Sequence, residues 1–296
     1  RSDRDWSSDV CSSDLQAVER ALGSPVPDAP VPFVLSPRMG DAIPPPEAVL
    51  SEAHCRKTVR GECVEMPVSY AVQAFRLSSG SQRGLDDALR LSVITPVLAP
   101  VSRKHPDLVM WRMTALENGV FSIYPAPNHI PMMYSPQASP WFRKAMESSR
   151  PVWTVMPADP LTGRMALVAA LRVSGPGGRP AGVTAIAEPM RIMLHENVHV
   201  TDISTRMATL LVRPEEKAAG GDFSIRILAQ KGKEARMHDW RFIESGEWLD
   251  AAPGQGYNAI VQDMRENRSG VRRLSYEGRE SLLAFSPIGG TDAFLL

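Results

Sequence analysis

The sequence predicts an α+β fold: two modules, each with a central antiparallel sheet, preceded by an N-terminal helical region. Strand-length apolar runs come in pairs around glycine turns in both halves. Residues 107–114 pair with 120–124 about Glu117-Asn118-Gly119, and residues 271–275 with 282–285 about Tyr276-Glu277-Gly278. Upstream, Leu85, Leu89, Val93, Val97 and Val101 recur every fourth residue, the apolar stripe of a helix. A chain of 296 residues with 43% apolar side chains is long enough for about two domains with sizeable cores.

In chain order, residues 1–15 (RSDRDWSSDVCSSDL) lack apolar periodicity and are dense in Ser and Asp. Residues 5–15 resemble the translation of a sequencing adapter, so this stretch is expected to add nothing to the fold. The natural chain is then expected to enter at about Gln16 and to continue beyond Leu296, which stands inside an apolar run. Residues 16–46 hold eight prolines between Ser24 and Pro46 and read as an extended linker.

Residues 47–104 read as helical. Good helix formers fill 47–58, Val68, Val72 and Phe75 keep a helical spacing, and a third helix starts near Leu85, with Pro96 and Pro100 kinking or ending it. Residues 105–200 form the first module. After its opening hairpin, Pro136 and Pro140 hold the chain in a loop, residues 142–146 make a short helical cap, and strands 164–173 and 181–187 flank a turn at Ser174-Gly175-Pro176-Gly177-Gly178. Residues 201–296 form the second, with a strand at 207–212, alternation at Phe223, Ile225, Ile227 and Ala229, a helix at 258–267 and the terminal hairpin.

Formal charge is zero, and without the two Arg and four Asp of residues 1–15 there remain 31 basic and 29 acidic side chains. That balance gives no basic face for nucleic acid. No stretch reaches the roughly 18 apolar residues of a membrane span. With Cys11 set aside, Cys55 and Cys63 remain. On one helix they would lie about 12 Å apart, beyond disulfide reach, so two free thiols is the favoured reading; a break at Gly61 is what would let them meet.

His195, Glu196 and His199 fit the zinc-protease pattern H-E-x-x-H, in which a helix presents two imidazoles and a general base on one face. β-Branched Val198, Val200 and Thr201 disfavour that helix, and no third ligand follows closely. A secreted zinc metalloprotease is therefore only the alternative reading. No nucleophile elbow, phosphate loop or dinucleotide fingerprint is present. Enzymatic chemistry, a cofactor and a bound metal are not expected within these residues.

The order Tyr134-x-Pro136, Pro140-Trp141-Phe142, Trp153-Thr154, Asp159-x-x-Thr162-Gly163, then two strands ending in Gly182-Val183-x-x-Ile186, resembles the membrane-distal half of a double Cache sensor domain. Ser269-Gly270, Tyr276-Glu277-Gly278 and residues 282–288 resemble the second half. The resemblance implies two PAS-like modules in the extracytoplasmic part of a bacterial transmembrane receptor. The distal module would bind a small molecule, and the proximal one would pass a shift to a flanking membrane helix. It implies attachment to the cell membrane, homodimer formation as a further expectation, and an output module outside this sequence. A metal-dependent serine phosphatase is the first choice for that module, and a histidine kinase, cyclase or chemoreceptor the others.

For the site, the resemblance implies Tyr134, Trp141, Phe142, Trp153 and Asp159. Amino-acid-binding members of the family clamp their ligand with an Arg before the Pro-Trp pair, a Tyr after it and an Asp after the Gly-Val strand. Here Ser139, Phe142 and Ala187 hold those positions, with Glu188 one step late and on the other strand face. A free α-amino acid is therefore not the expected ligand, and an uncharged one stacked on Trp141 and Trp153 is.

Overall fold

The structure is a computed structural model that describes residues 3–29, 31–36, 44–58, 62–78, 81–190, 207–217, 222–231, 240–242, 247–249, 255–276, 278–288 and 291–296. The fold is α+β, and the chain divides into two compact units, Arg1–Met193 and Leu194–Leu296.

The first unit begins with helix α1 (Asp3–Gly23), and this corrects the expectation that residues 1–15 add nothing. Cys11, Asp14, Val18, Ala21 and Leu22 are buried, with Leu15 packed beside them. Their spacing is a helical repeat that runs through the supposed boundary at residue 15. An apolar scan misses it because its central member is an Asp. Nε of Arg112 donates to the Asp14 carboxylate at 2.8 Å, and Nη2 donates to its other oxygen. The likeness to an adapter concerns the origin of these residues; their packing is a separate matter.

The linker expectation for residues 16–46 is corrected as well. The end of α1 falls within them, and β1 (Phe33–Leu35) pairs in parallel with β4 (Gln73–Leu77), Phe33 opposite Gln73. A proline-flanked strand is tolerated there because β1 is an edge.

Residues 47–104 are helical only in their second half. β2 (Val49–Lys57) and β3 (Cys63–Ser69) form an antiparallel hairpin where a helix was expected, and a Cys55–Cys63 disulfide with Cα atoms 5.3 Å apart joins them. Two free thiols is thus the wrong reading. Helix propensities of a few tenths of a kcal/mol per residue do not outweigh a paired and bridged hairpin. Helices α2 (Gln82–Ser92) and α3 (Thr95–Lys104) follow, with Ser81 capping α2 by accepting from the amide of Gly84. The buried apolar side chains of this stretch are Ala88, Leu91, Ile94 and Leu98, while Val93 and Val97 of the expected stripe are 38% and 45% exposed. The stripe assumed one continuous helix, and the new start before Pro96 resets the phase.

The remainder of the unit is β5 (Trp111–Leu116), β6 (Val120–Tyr124), β7 (Ala126–Pro127, paired with β3), the cap helix α4 (Pro140–Met146), β8 (Val152–Met156), β9 (Ala166–Ser174) and β10 (Pro180–Pro189). The large sheet runs β1-β4-β6-β5-β10-β9-β8. Counted from β5 and leaving out the small β7, its last five members lie in the order 2-1-5-4-3. Gly182 is required where β10 passes β5, since a Cβ there would sit 2.2 Å from the carbonyl oxygen of Ala115. One sheet face packs against α4 through Trp111, Met113, Ile123, Val168 and Ala185, and the other packs against α1, α2 and α3.

The second unit contains β11 (Leu210–Glu216), β12 (Phe223–Lys231), β13 (Trp240–Phe242), helix α5 (Gln255–Arg265), β14 (Gly270–Tyr276), β15 (Arg279–Pro287) and β16 (Phe294–Leu295). Its sheet runs β13-β12-β11-β16-β15-β14. With β13 as an appended edge, this is again 2-1-5-4-3. Two modules with no residue-level repeat therefore share one strand order, the PAS-like plan implied by the resemblance. Ile225, Ile260, Met264, Leu283 and Phe285 fill the core between the sheet and α5.

Candidate ligand-binding site

In the first unit the chain leaves β6, loops through residues 128–139 and enters α4, which lies over β8, β9 and β10. Pro140 opens the helix in its first turn, where a missing N–H costs nothing. Trp141 and Phe142 are thereby turned into the core edge to face, ring centres 6.0 Å apart.

The loop before α4 is held by Arg76 of β4. Its guanidinium donates to the carbonyls of Pro131, at 2.6 Å, and Tyr134, and lies 5.9 Å from the centre of the Phe121 ring. Tyr134 meets Phe121 edge-on at 5.6 Å, and its hydroxyl accepts from Nε1 of Trp141 at 3.3 Å. Burial pushes the Tyr134 phenol up to about 12, so it remains a neutral hydrogen-bonding group.

Asp159 begins the turn that precedes β9 and is 2% exposed. Its Oδ2 accepts from Nε1 of Trp111 at 3.1 Å and from the amide and hydroxyl of Thr162 at 2.8 and 2.7 Å. Gly163 closes the turn by donating to the Asp159 carbonyl at 2.7 Å, at a φ of 69° that favours glycine. The other carboxylate oxygen, Oδ1, is buried and has no donor in good hydrogen-bond geometry, although the Leu161 amide also acts on the carboxylate. Burial raises the Asp159 pKa above the ordinary carboxylate value, opposed by the Thr162 and Trp111 donors and the Leu161 amide. A buried carboxylate with one oxygen lacking a well-aligned donor is an acceptor for a ligand N–H or ammonium group.

Behind Trp111 stands His54, a residue sequence reasoning missed. Its ring lies 4.6 Å from that of Trp111, Nε2 is 2.6 Å from the Met110 carbonyl, and Nδ1 is 2.9 Å from the Ser51 hydroxyl. With burial lowering its pKa to about 4, the neutral ring donates from Nε2 and accepts at Nδ1. The signal available was the Cys55–Cys63 pair itself, because a bridge across that spacing forces the hairpin that carries His54.

Of the five expected site residues, Tyr134, Trp141 and Phe142 lie together in the cluster under α4, and Asp159 bonds to Trp111 of the same cluster. Trp153 does not join them. Its strand neighbours Val152 and Met156 pack with the α4 cluster, so alternation sends Trp153 to the opposite sheet face. His195, Glu196 and His199 lie outside the described residues. Among the described residues no group of His, Cys, Asp or Glu has the arrangement of a metal site, and no helix is long and apolar enough to cross a membrane.

No protein-family model and no curated protein matches the sequence. Among solved structures, the chain is similar to the ligand-binding domain of the amino acid chemoreceptor PctB of Pseudomonas aeruginosa in complex with L-Arg. The identity is 17%, over 66% of this chain and 72% of that one, with a TM-score of 0.42. It is similar to the ligand-binding domain of the chemoreceptor CtaA of Pseudomonas fluorescens in complex with L-alanine, at 19% identity, 68% and 77% coverage and a TM-score of 0.41. It is also similar to the extracellular domain of a histidine kinase, at 11% identity, 68% and 78% coverage and a TM-score of 0.45.

Two of these domains hold free α-amino acids, which overturns the expectation that such ligands are excluded. That expectation compared Ser139, Phe142 and Ala187 one for one with a clamp. It gave Asp159, named there as a site residue, no weight as an acceptor for a ligand nitrogen.

Proposed function

We propose that this chain is the extracytoplasmic small-molecule sensing domain of a membrane-bound signalling protein. In this reading its first unit is the membrane-distal, ligand-binding module and its second the membrane-proximal one. The observation that carries the site is the buried Asp159 carboxylate, whose Oδ1 lacks a well-aligned donor, beside the Trp111, Tyr134 and Trp141 cluster. It favours a ligand that presents an amine or another N–H donor, which would supply the missing partner of a buried carboxylate. The Cys55–Cys63 disulfide supports an oxidising compartment, as an extracytoplasmic domain requires. Signalling would follow if the ligand binds one of two arrangements more tightly than the other. The output module is proposed as a metal-dependent serine phosphatase first, and otherwise a histidine kinase, cyclase or chemoreceptor.

A thermal-shift screen of the L-amino acids and simple alkylamines, each beside its counterpart lacking the nitrogen, tests the reading. A ligand that binds only the folded state at 100 times its dissociation constant adds about 2.7 kcal/mol of stability. At least one amine should raise the melting temperature while its nitrogen-free counterpart does not, and Asp159→Asn should abolish the response in a folded protein. A full response in Asp159→Asn, or none to any amine, would sink it.

A further inference from the structure

We propose that the Cys55–Cys63 bridge is a reduction-sensitive brace of the Asp159 turn, so that reducing it loosens the candidate ligand site. The functional importance of that turn rests on the reading above, but the bracing does not.

The hairpin of β2 and β3 has an irregular ladder. Ser51 lies opposite Met66 and Arg56 opposite Val64, so four residues of one strand face a single residue of the other. The extra segment, residues 52–55, leaves the ladder and reaches the site. His54 packs on Trp111 at 4.6 Å and bonds to the Met110 carbonyl, while Trp111 donates to Asp159. On the other side of the turn, Arg164 donates to the carbonyl of Ala53 at 2.8 Å and Arg56 donates to the carbonyl of Leu161 at 3.3 Å. The bulged segment thus touches the turn from both flanks, and it lacks the ladder bonds that would otherwise fix it. The disulfide ties its end, Cys55, to β3.

Cys63 is exposed whereas Cys55 is buried, so an outside thiol reaches the bridge at Cys63. A dithiol thiolate attacks Cys63 Sγ and expels the Cys55 thiolate. The second dithiol sulfur then attacks its own partner in the mixed disulfide and expels the Cys63 thiolate. The reagent becomes a cyclic disulfide, two electrons pass to the protein sulfurs, and the two protons lost by the reagent end on Cys55 and Cys63. The third cysteine stays out of this exchange: Cys11 is buried, and burial together with Asp14 raises its thiol pKa.

The test is amide hydrogen exchange of the whole chain with and without dithiothreitol, reduction being verified by a mass gain of about 2 Da for the two added hydrogens. Thr162 and Gly163, whose amides bond to Asp159, should exchange at least about tenfold faster after reduction, the size expected when a local opening is eased by roughly 1.4 kcal/mol. The β9–β10 ladder and the β14–β15 ladder should keep their protection. The paired variant Cys55→Ser, Cys63→Ser should show the fast rate with or without the reagent. Unchanged Thr162 and Gly163 exchange in fully reduced protein overturns the proposal. So does simultaneous loss of the β9–β10 ladder, because the bridge would then hold the whole unit rather than the turn. Neither readout needs a ligand, so failure here is distinct from failure of the sensing assignment.

Discussion

Asp159 gathers three donors on one carboxylate oxygen and no well-aligned donor on the other, and it is almost fully buried. Because its folded-state pKa is raised, its contribution to stability is fully present below the ordinary value of 3.8 and is lost as pH rises through the folded value. Asp159→Asn keeps an oxygen for Trp111 and Thr162 while removing the charge. The ligand-free variant is expected to match or exceed the wild type near pH 7, each kcal/mol raising the melting temperature by about 2–4 °C in a unit of this size. The advantage should vanish toward pH 3, and a wild type that is the more stable at pH 7 would contradict the account. His54 has the opposite sign. Its pKa is lowered from 6.5 to about 4, so its contribution is present above 6.5 and lost as pH falls toward 4. That window should cost the first unit about 3 kcal/mol. His54→Gln should lower stability throughout yet flatten this slope in urea titrations at stepped pH, and an unchanged slope would rule out His54 as its source.

At the scale of elements, α1 is anchored by a charge pair as well as by apolar contact. Asp14 and Arg112 are both buried, and removing one partner leaves the other uncompensated. Asp14→Ala is expected to cost about 3–5 kcal/mol, and deleting residues 1–15 at least as much. An unchanged urea midpoint after either change would show that α1 does not pack in solution. This is also where the sequence reads least well. Hairpins were legible because Gly119 and Gly278 mark the turns and strand-length runs with apolar residues flank them. The hairpin of β2 and β3 was not, because residues 47–58 are good helix formers and only a disulfide and long-range pairing override them. The α2–α3 stripe failed for a related reason, since spacing does not reveal where one helix stops and the next restarts out of phase. In the candidate site, the neighbourhood that Trp141 and Asp159 share with Trp111 was legible from local order. Arg76 and His54 were not, because they come from strands far off in sequence, and Trp153 was misplaced by ignoring which face of β8 it occupies.

Across the whole molecule, two sheets with unrelated residues keep one strand order. The number of modules was readable from repeated turns and periodicity, but strand order depends on pairings between distant segments and leaves little local trace. In both sheets the strand that comes last in sequence lies between the first and the fourth. A chain leaving the ribosome therefore holds β5–β6 and β8–β9 as separate ribbons until residues 180–189 have emerged. The second unit waits in the same way for its final strand, Phe294–Leu295. Until then each ribbon has an open edge and no completed core, so each unit closes around its last-made strand rather than growing outward from its first.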